Sequence, residues 1–210
     1  MRRILTIFIL FLAVNGFSQT FKSGLLFGVS AAQVEGDGYG GYNKAGAILG
    51  GFTNTEFSKK ISLQFEIAYI GKGARKVPKP DKGDLRSFNL RLNYIEIPLA
   101  LRYHFKKFHF ELGLYYGYLL NIKAEDQFGE IDFQNQPYPF KKHDFGGLIG
   151  QQYEFIHNWF FNVRSKNSLI PTRDFNNLDQ NIGILNKTFN RGWYNVDLNF
   201  TVRYQFGAKN

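Results

Sequence analysis

The sequence predicts an all-β fold, an eight-stranded antiparallel up-and-down transmembrane β-barrel. Three observations support this fold class. Eight segments alternate apolar and polar residues with a period of two, as strands with one apolar face do. Short and long connections alternate along the chain, and aromatic residues, 18% of the total, collect near the segment ends. Short turns on one rim, long loops on the other and aromatic girdles are typical of outer-membrane barrels.

The first 18 residues are expected to be a cleaved signal peptide, which leaves residues 19–210 as the outer-membrane β-barrel domain. The apolar stretch that follows Arg2 and Arg3 is too short to cross a bilayer as a helix. Gly16 and Ser18 are small residues that suit cleavage after Ser18. An uncleaved N-terminal membrane anchor is the alternative. Export of a barrel of this kind predicts localisation in the cell outer membrane.

The first half of the chain contains four of the eight strands. The first strand carries Phe27 and Val29 on one face, and the second is rich in Gly and Ala. The third sets Phe65 and its apolar neighbours against Glu66, and the fourth alternates clearly from Ile95 onward. The predicted bounds are Phe21–Val34, Ala45–Thr55, Ile61–Tyr69 and Phe88–Phe105.

The second half contains the other four strands, of which the last is the clearest. The fifth strand places Leu112 and Leu114 opposite Glu111 and Gly113. The predicted bounds are Phe108–Ile122, Lys142–Phe155, His157–Leu169 and Tyr194–Phe206. The long connections, all on one side of an up-and-down sheet, are Glu35–Lys44, Gly71–Ser87, Lys123–Lys141 and Ile170–Arg191. These are expected to be extracellular loops.

Alternation alone does not decide which face looks inward. A secreted soluble barrel of the lipocalin kind would place the apolar face inside, around a ligand. The membrane barrel is favoured because the apolar faces run without a break and the polar faces hold mostly small or uncharged residues. The sequence has no Cys, which excludes a disulfide framework, a zinc-thiolate site and a catalytic thiol.

Five segments carry a family resemblance: Gly24–Gly28, Tyr94–Tyr103, Gly113–Leu120, Asp144–Gly150 and Asn199–Phe206. They resemble strands of the PorT-like outer-membrane barrels of Bacteroidota, an outer membrane protein beta-barrel domain. The resemblance covers residues 19–210 and implies a barrel of about eight strands. The namesake of that family assists the type IX secretion and gliding machinery, whereas most members have no assigned role. The resemblance therefore implies fold and compartment, and an accessory role of that kind is one hypothesis.

Seven charged residues have, or are expected to have, the parity that faces the lumen. The interior of an eight-stranded barrel is only wide enough for side chains, and buried charges must be paired. We therefore expect a salt-bridged plug, with a selectivity lining or a proton path as the alternative. The network comprises Arg91, Glu96, Arg102, Glu111, Arg164, Asp197 and Arg203.

The apolar residues of the fourth strand change parity near its middle. A β-bulge at Asn93–Ile95 would restore the alternation and keep both Arg91 and Glu96 in the lumen. Pro98 cannot donate a ladder hydrogen bond. We expect it to face inward, where the ladder is locally broken.

The Gly71–Gly83 segment is predicted to be a strongly basic extracellular loop. Its cations suit the phosphates of lipopolysaccharide or an acidic protein partner, and a solvated loop with no ligand is the alternative. The basic residues are Lys72, Arg75, Lys76, Lys79 and Lys82. The expected partners are outer-membrane lipid, lipopolysaccharide and a protein at the loops or the periplasmic rim. Nucleic acid is not expected for an exported barrel.

The sequence offers no catalytic, cofactor-binding or metal-binding residues. The four histidines, His104, His109, His143 and His157, have no ligand spacing around them, and no Gly-x-Ser-x-Gly motif is present. Asp144 follows His143, but adjacent strand residues point to opposite faces. We therefore expect a protein that is not an enzyme and has no cofactor.

The predicted function is a structural or interaction role in the outer membrane, by display of loops or as a scaffold. A narrow porin-like channel for small solutes is the second hypothesis. An enzyme that modifies outer-leaflet lipid is the third.

Overall fold

The computed structural model describes residues 21–174 and 192–207. The predicted signal peptide and the Asn-rich stretch at 176–190 lie outside these residues. The strands within them are β1 (Phe21–Glu35), β2 (Lys44–Glu56), β3 (Ile61–Lys76), β4 (Phe88–Phe105), β5 (Phe108–Asp126), β6 (Gly129–Glu130), β7 (His143–Ile156), β8 (Trp159–Ser168), β9 (Arg173–Asp174) and β10 (Gly192–Gln205).

Eight long antiparallel strands form a closed barrel, as predicted. Each strand pairs with the next in the order β1-β2-β3-β4-β5-β7-β8-β10, and β10 pairs back with β1. The short strands β6 and β9 extend β5 and β10 at the long-loop rim. A 3₁₀ turn at Pro80–Lys82 lies in the β3–β4 loop. Among the described residues, no helix is long and apolar enough to span a membrane.

The outer wall of the barrel is apolar. Large aliphatic side chains on it are 47–66% exposed, among them Leu25, Leu49, Ile67, Leu99, Leu112 and Ile149. A continuous apolar surface of this extent is strongly unfavourable in water and favourable in lipid. The predicted orientation, apolar face outward and polar face inward, is therefore confirmed.

The alternation of β4 keeps one parity from end to end. Its even-numbered residues from Phe88 to Arg102 are all buried inside the barrel. The outward residues are apolar from Ile95 to Phe105. Nearer the long-loop end of the strand, the outward positions hold Asn89, Arg91 and Asn93. The predicted bulge in β4 is thus wrong. Near Asn93 the outer wall passes from lipid into water. Below this level the outward side chains of β4 are the apolar ones, and above it the inward side chains are.

The β-bulge lies instead on the neighbouring strand, β5. Asn93 pairs with Asn121, but Tyr94 pairs with Leu119, which leaves Leu120 as an extra residue. The inward parity of β5 shifts by one residue at this point. The bulge therefore turns Ile122 and Ala124 inward, against the apolar core, and leaves Asn121 and Lys123 on the outer wall.

Pro98 faces the interior, as predicted. The pairing of β3 with β4 runs from Ile61–Tyr103 to Phe65–Leu99 and resumes at Ala68–Glu96. The ladder is thus interrupted beside Pro98, where a residue without an N–H donor costs no hydrogen bond.

An apolar core fills the barrel at its long-loop end. We call it the cap core. Its buried side chains include Ile70, Phe88, Leu90, Leu92, Phe133, Phe140 and Trp193. Phe133 and Phe140 come from the β6–β7 loop, and their rings pack edge-to-face on Trp193 with centroids 5.6 and 5.7 Å away. The loop is thereby folded over the mouth of the barrel.

Candidate functional site

Five charged side chains fill the half of the lumen nearer the short turns. They project from five different strands and are 1–3% exposed. We call this group the lower cluster, and it comprises Glu66, Arg102, Glu111, Arg164 and Arg203.

Arg164 is the centre of the lower cluster. Its guanidinium donates to both oxygens of Glu66, at 2.8 and 3.0 Å, and to Oε2 of Glu111 at 2.8 Å. Arg203 Nη1 lies 2.7 Å from Glu66 Oε1, and Arg102 Nε lies 3.3 Å from Glu111 Oε1. Charge-assisted bonds of this kind are strong in a medium without water. They join strands on opposite sides of the barrel.

Five further charged side chains, the upper cluster, lie between the lower cluster and the cap core. Lys72 Nζ is 2.9 Å from Asp197 Oδ1 and also contacts Glu96. Lys166 pairs with Glu96 and lies 3.5 Å from Asp197 Oδ2. Asp144 accepts hydrogen bonds from Ser168 at 2.7 Å and Asn195 at 3.0 Å. The cluster comprises Lys72, Glu96, Asp144, Lys166 and Asp197.

The formal charges balance across the two clusters but not within either. The lower cluster has three arginines and two glutamates, and the upper cluster has two lysines and three carboxylates. Buried charges are tolerated when they are paired and hydrogen-bonded. Opposite net charges stacked along the barrel axis attract each other at low dielectric. The arrangement therefore acts as a neutral plug.

The structure brings together six of the seven predicted network residues: Glu96, Arg102, Glu111, Arg164, Asp197 and Arg203. The prediction for Arg91 is wrong. Arg91 points outward with its side chain 54% exposed, and its Nη2 lies 3.4 Å from Glu125 Oε1. The physical reason is the uninterrupted parity of β4, which places odd residues on the outer wall.

Sequence reasoning missed four members of the network: Glu66, Lys72, Asp144 and Lys166. Three of them already had inward parity in the predicted strands, so the alternation was a sufficient signal for Glu66, Asp144 and Lys166. Lys72 carried no such signal because the third strand was predicted to end at Tyr69.

The prediction of a basic extracellular loop at Gly71–Gly83 is wrong in part, because the third strand is longer than predicted. β3 runs to Lys76, so Lys72 is buried in the lumen, and Arg75 and Lys76 belong to the strand. Lys79 and Lys82 remain in the β3–β4 connection. Lys76 Nζ pairs with Asp84 at 2.6 Å. Glycines at 71 and 73 suggested a loop, but they are strand residues that approach neighbouring backbone closely.

Arg173 fastens the extracellular loops to the cap core. Its guanidinium carbon lies 4.5 Å from the ring centroid of Phe133 and 4.6 Å from that of Trp193. Its Nη2 donates to Gln136 Oε1 at 2.8 Å. Cation–π contacts gain strength when the cation is shielded from water, and Arg173 is 3% exposed. One side chain thus ties the β6–β7 loop to β9 and β10.

Asp37 gives the β1–β2 loop a predicted pH dependence. Burial raises the pKa of its carboxyl to about 7, although its Oδ1 accepts a hydrogen bond from the Tyr39 N–H at 2.7 Å. The folded loop therefore holds a proton that the unfolded loop releases near the ordinary carboxyl pKa of 3.8. The stability of the loop is greatest below that value, falls as the pH rises toward 7, and is constant above it.

Proteolysis of the β1–β2 loop measures this effect. We expect cleavage to be several-fold faster at pH 8 than at pH 5, because local opening is easier. Asp37→Asn is the matched control and should remove the pH dependence, after correction for the protease's own profile. A wild-type loop cleaved at one corrected rate at both pH values would contradict the buried carboxyl.

The histidines belong to no metal-binding group in the described part of the chain. His104 and His109 pack together at the short-turn rim, with ring centroids 4.3 Å apart. His143 is exposed, whereas Asp144 is fully buried in the lumen, so the two side chains point to opposite faces. Within residues 21–174 and 192–207, no three His, Cys, Asp or Glu side chains are grouped to hold a metal ion.

A closed barrel with an apolar outer wall and a salt-bridged lumen defines the class of integral membrane β-barrels. The sequence matches the family described as "Outer membrane protein beta-barrel domain" over residues 17–174. The chain belongs to this family, and it is an eight-stranded protein of the outer membrane.

One solved structure supports this fold, and a second is reported as similar. Neisserial surface protein A (NspA) is similar, with 14% identity and a TM-score of 0.51 over 89% of this chain and 97% of NspA. The attachment invasion locus protein Ail of Yersinia pestis is 14% identical, with a TM-score of 0.47 over 88% of this chain and 98% of Ail. A comparison with curated proteins finds no match.

Proposed function

We propose that this protein is a closed, non-conducting outer-membrane anchor that presents an ordered extracellular cap to a protein partner. The role is structural or one of interaction rather than transport or catalysis. The observation that carries the proposal is the filling of the lumen. Ten buried, mutually paired charges and the cap core fill it from the level of Arg102 and Glu111 to the long-loop mouth.

The ion-paired section of the lumen is tightly packed, and its ten charged residues are at most 4% exposed. The cavity between the two clusters measures about 20 Å³ and is bounded by Glu66, Glu96, Arg164 and Lys166 among others. That volume holds about one water molecule. A folded cap above the plug supports the display of loops, because Arg173 and the aromatic rings around it give the mouth a fixed shape.

We expect purified protein in planar bilayers to give no stable single-channel steps. Ion pairs that cross the lumen would have to break for an ion to pass, and each broken buried pair costs several kcal/mol. A suitable positive control is a wide porin reconstituted in the same lipid. Reproducible ohmic steps from the wild-type barrel would favour the narrow-porin hypothesis instead.

A protein partner is the finer part of the proposal. The resemblance to PorT-like barrels of Bacteroidota supports an accessory role in secretion or gliding machinery. Cross-linking in native membranes, followed by purification of the tagged barrel, tests it. Recovery of a defined partner that is lost when Arg173→Ala loosens the cap would support the extracellular face as the binding surface. Recovery that is independent of the cap would point to the periplasmic rim.

The proposal excludes lipid modification. His143 and Asp144 cannot act together because they face opposite sides of the wall. Mass spectrometry of lipid A from a deletion strain provides the test, and a mass shift restored by the wild-type gene would support the enzyme hypothesis.

A further inference from the structure

Four basic side chains lie together on the outer wall, above its apolar part. We call Lys44, Arg75, Arg91 and Lys123 the wall patch. We propose that the wall patch binds the phosphorylated sugar headgroup of an outer-leaflet glycolipid of the lipopolysaccharide class. The inference does not rest on the proposed function, since it concerns the outer wall and not the cap.

The strand register assembles the patch. Arg91 of β4 is level with Lys123 of β5, and Arg75 of β3 is level with Asn89 of β4. Lys44 reaches the same surface, where its Nζ donates to Asn89 Oδ1 at 2.8 Å. The carboxylate that contacts the patch is Glu125, 3.4 Å from Arg91. Glu130 of β6 lies directly opposite Glu125. Four cations against two carboxylates leave an excess of positive charge.

The height of the patch selects the kind of headgroup. The last outward row that is apolar on all three strands is Tyr69–Ile95–Tyr118, with Leu120 of the β5 bulge just above it. Arg91 stands four residues above Ile95 on the same strand. At about 3.3 Å per residue and a tilt of about 40°, this is about 10 Å farther from the membrane centre. A headgroup layer is only about 5–8 Å thick on each side. The cations therefore reach past the phosphate of an ordinary phospholipid, to where a phosphorylated saccharide extends.

Uncharged amides lie between the apolar row and the cations. Asn93 Nδ2 donates to Asn121 Oδ1 at 2.6 Å, and both side chains face outward at this level. Each amide retains donor or acceptor capacity for a sugar hydroxyl. The order from the membrane outward is thus aromatic rings, amides and cations, which matches acyl chains, sugar and phosphate.

The patch occupies one side of the barrel. At the extracellular ends of β1 and β8, the described outward residues are Gln33, Glu35 and Asn167, with no Lys or Arg among them. Beyond the end of β7, which adjoins the patch through β5, Lys142 is exposed and Lys141 is paired with Asp174 at 2.8 Å. A general attraction to anionic lipid would need no such asymmetry. A one-sided patch fits a bound headgroup in a defined place.

The test compares glycolipid binding by two variants that lose the same charge. The patch variant is Arg75→Gln with Arg91→Gln and Lys123→Gln. The control variant is Lys59→Gln with Lys60→Gln and Lys107→Gln, three exposed lysines in the short turns at the opposite rim of the barrel. Each protein is placed in phosphatidylcholine nanodiscs and titrated with fluorescent lipopolysaccharide. We expect the patch variant to bind about tenfold more weakly or worse, since each interfacial cation contributes to anionic lipid binding.

Two further arms identify the chemistry. Enzymatically dephosphorylated lipopolysaccharide should bind wild type as weakly as the patch variant binds the intact lipid. Phosphatidylglycerol should compete poorly. Equal affinity of the wild type, patch and control proteins would overturn the proposal, and so would phosphatidylglycerol competing as well as lipopolysaccharide. Resistance to dodecyl sulfate at room temperature checks folding, and Lys123→Gln alone replaces the triple variant if that variant does not fold.

Discussion

Arg164→Ala is expected to lower the free energy of unfolding by about 3–5 kcal/mol, the usual cost of removing one partner from a buried ion pair. The loss is large because Arg164 serves two carboxylates, Glu66 and Glu111, and both are buried. Arg203 and Arg102 each retain only a contact with one of them. Urea titration of the barrel in lipid vesicles, followed by tryptophan fluorescence, measures the change.

Arg91→Ala is the matched control for this prediction. It removes the same side chain from an exposed pair with Glu125, for which the expected cost is at most about 1 kcal/mol. If both variants lost the same stability, the plug would not be a principal source of barrel stability.

Leu114→Arg is expected to destabilise the barrel in lipid by about 2–4 kcal/mol, the cost of a cation near the bilayer midplane. Leu114 lies near the middle of the outward apolar residues of β5 and is 62% exposed on the outer wall. Its side chain therefore has lipid around it. The variant is measured by the same urea titration in vesicles.

Asn121→Arg tests where the lipid ends. Asn121 is also outward on β5, but it lies beyond the bulge, at the level where polar residues take over the wall. We expect a cost of about 0–1 kcal/mol there. A cost at Asn121 equal to that at Leu114 would show that the hydrocarbon layer extends to the wall patch.

The alternation of residues was sufficient to predict the barrel, because each strand has to separate lipid from a polar lumen. The bounds of β4 were predicted to the residue, and six of the lumen charges followed from parity. The prediction for Arg91 was wrong because alternation shows which residues share a face of the strand and not whether that face points into the lumen. Outward residues are apolar where the wall faces lipid and polar where it faces water. The sequence alone does not show at which residue along the strand this change occurs.

The cap core was not predictable for a related reason. Phe133 and Phe140 lie in a segment with no strand periodicity, and they are buried only because the loop closes over Trp193. Arg173 likewise has no local signal, since its partners come from distant parts of the chain. Sequence periodicity describes neighbours along a strand, and the contacts that close the barrel mouth are not between such neighbours.

The reversal of polarity along β4 and β5 also sets an order of events during membrane insertion. Arg91 and Lys123 must travel across the hydrocarbon layer before their strands reach the far side. The cap core can assemble only after that passage, when Leu90 and Leu92 can leave water together. Withdrawal of the finished barrel by a few residues would place charged side chains in lipid. Insertion therefore ends at a single depth, and the completed cap holds the protein there.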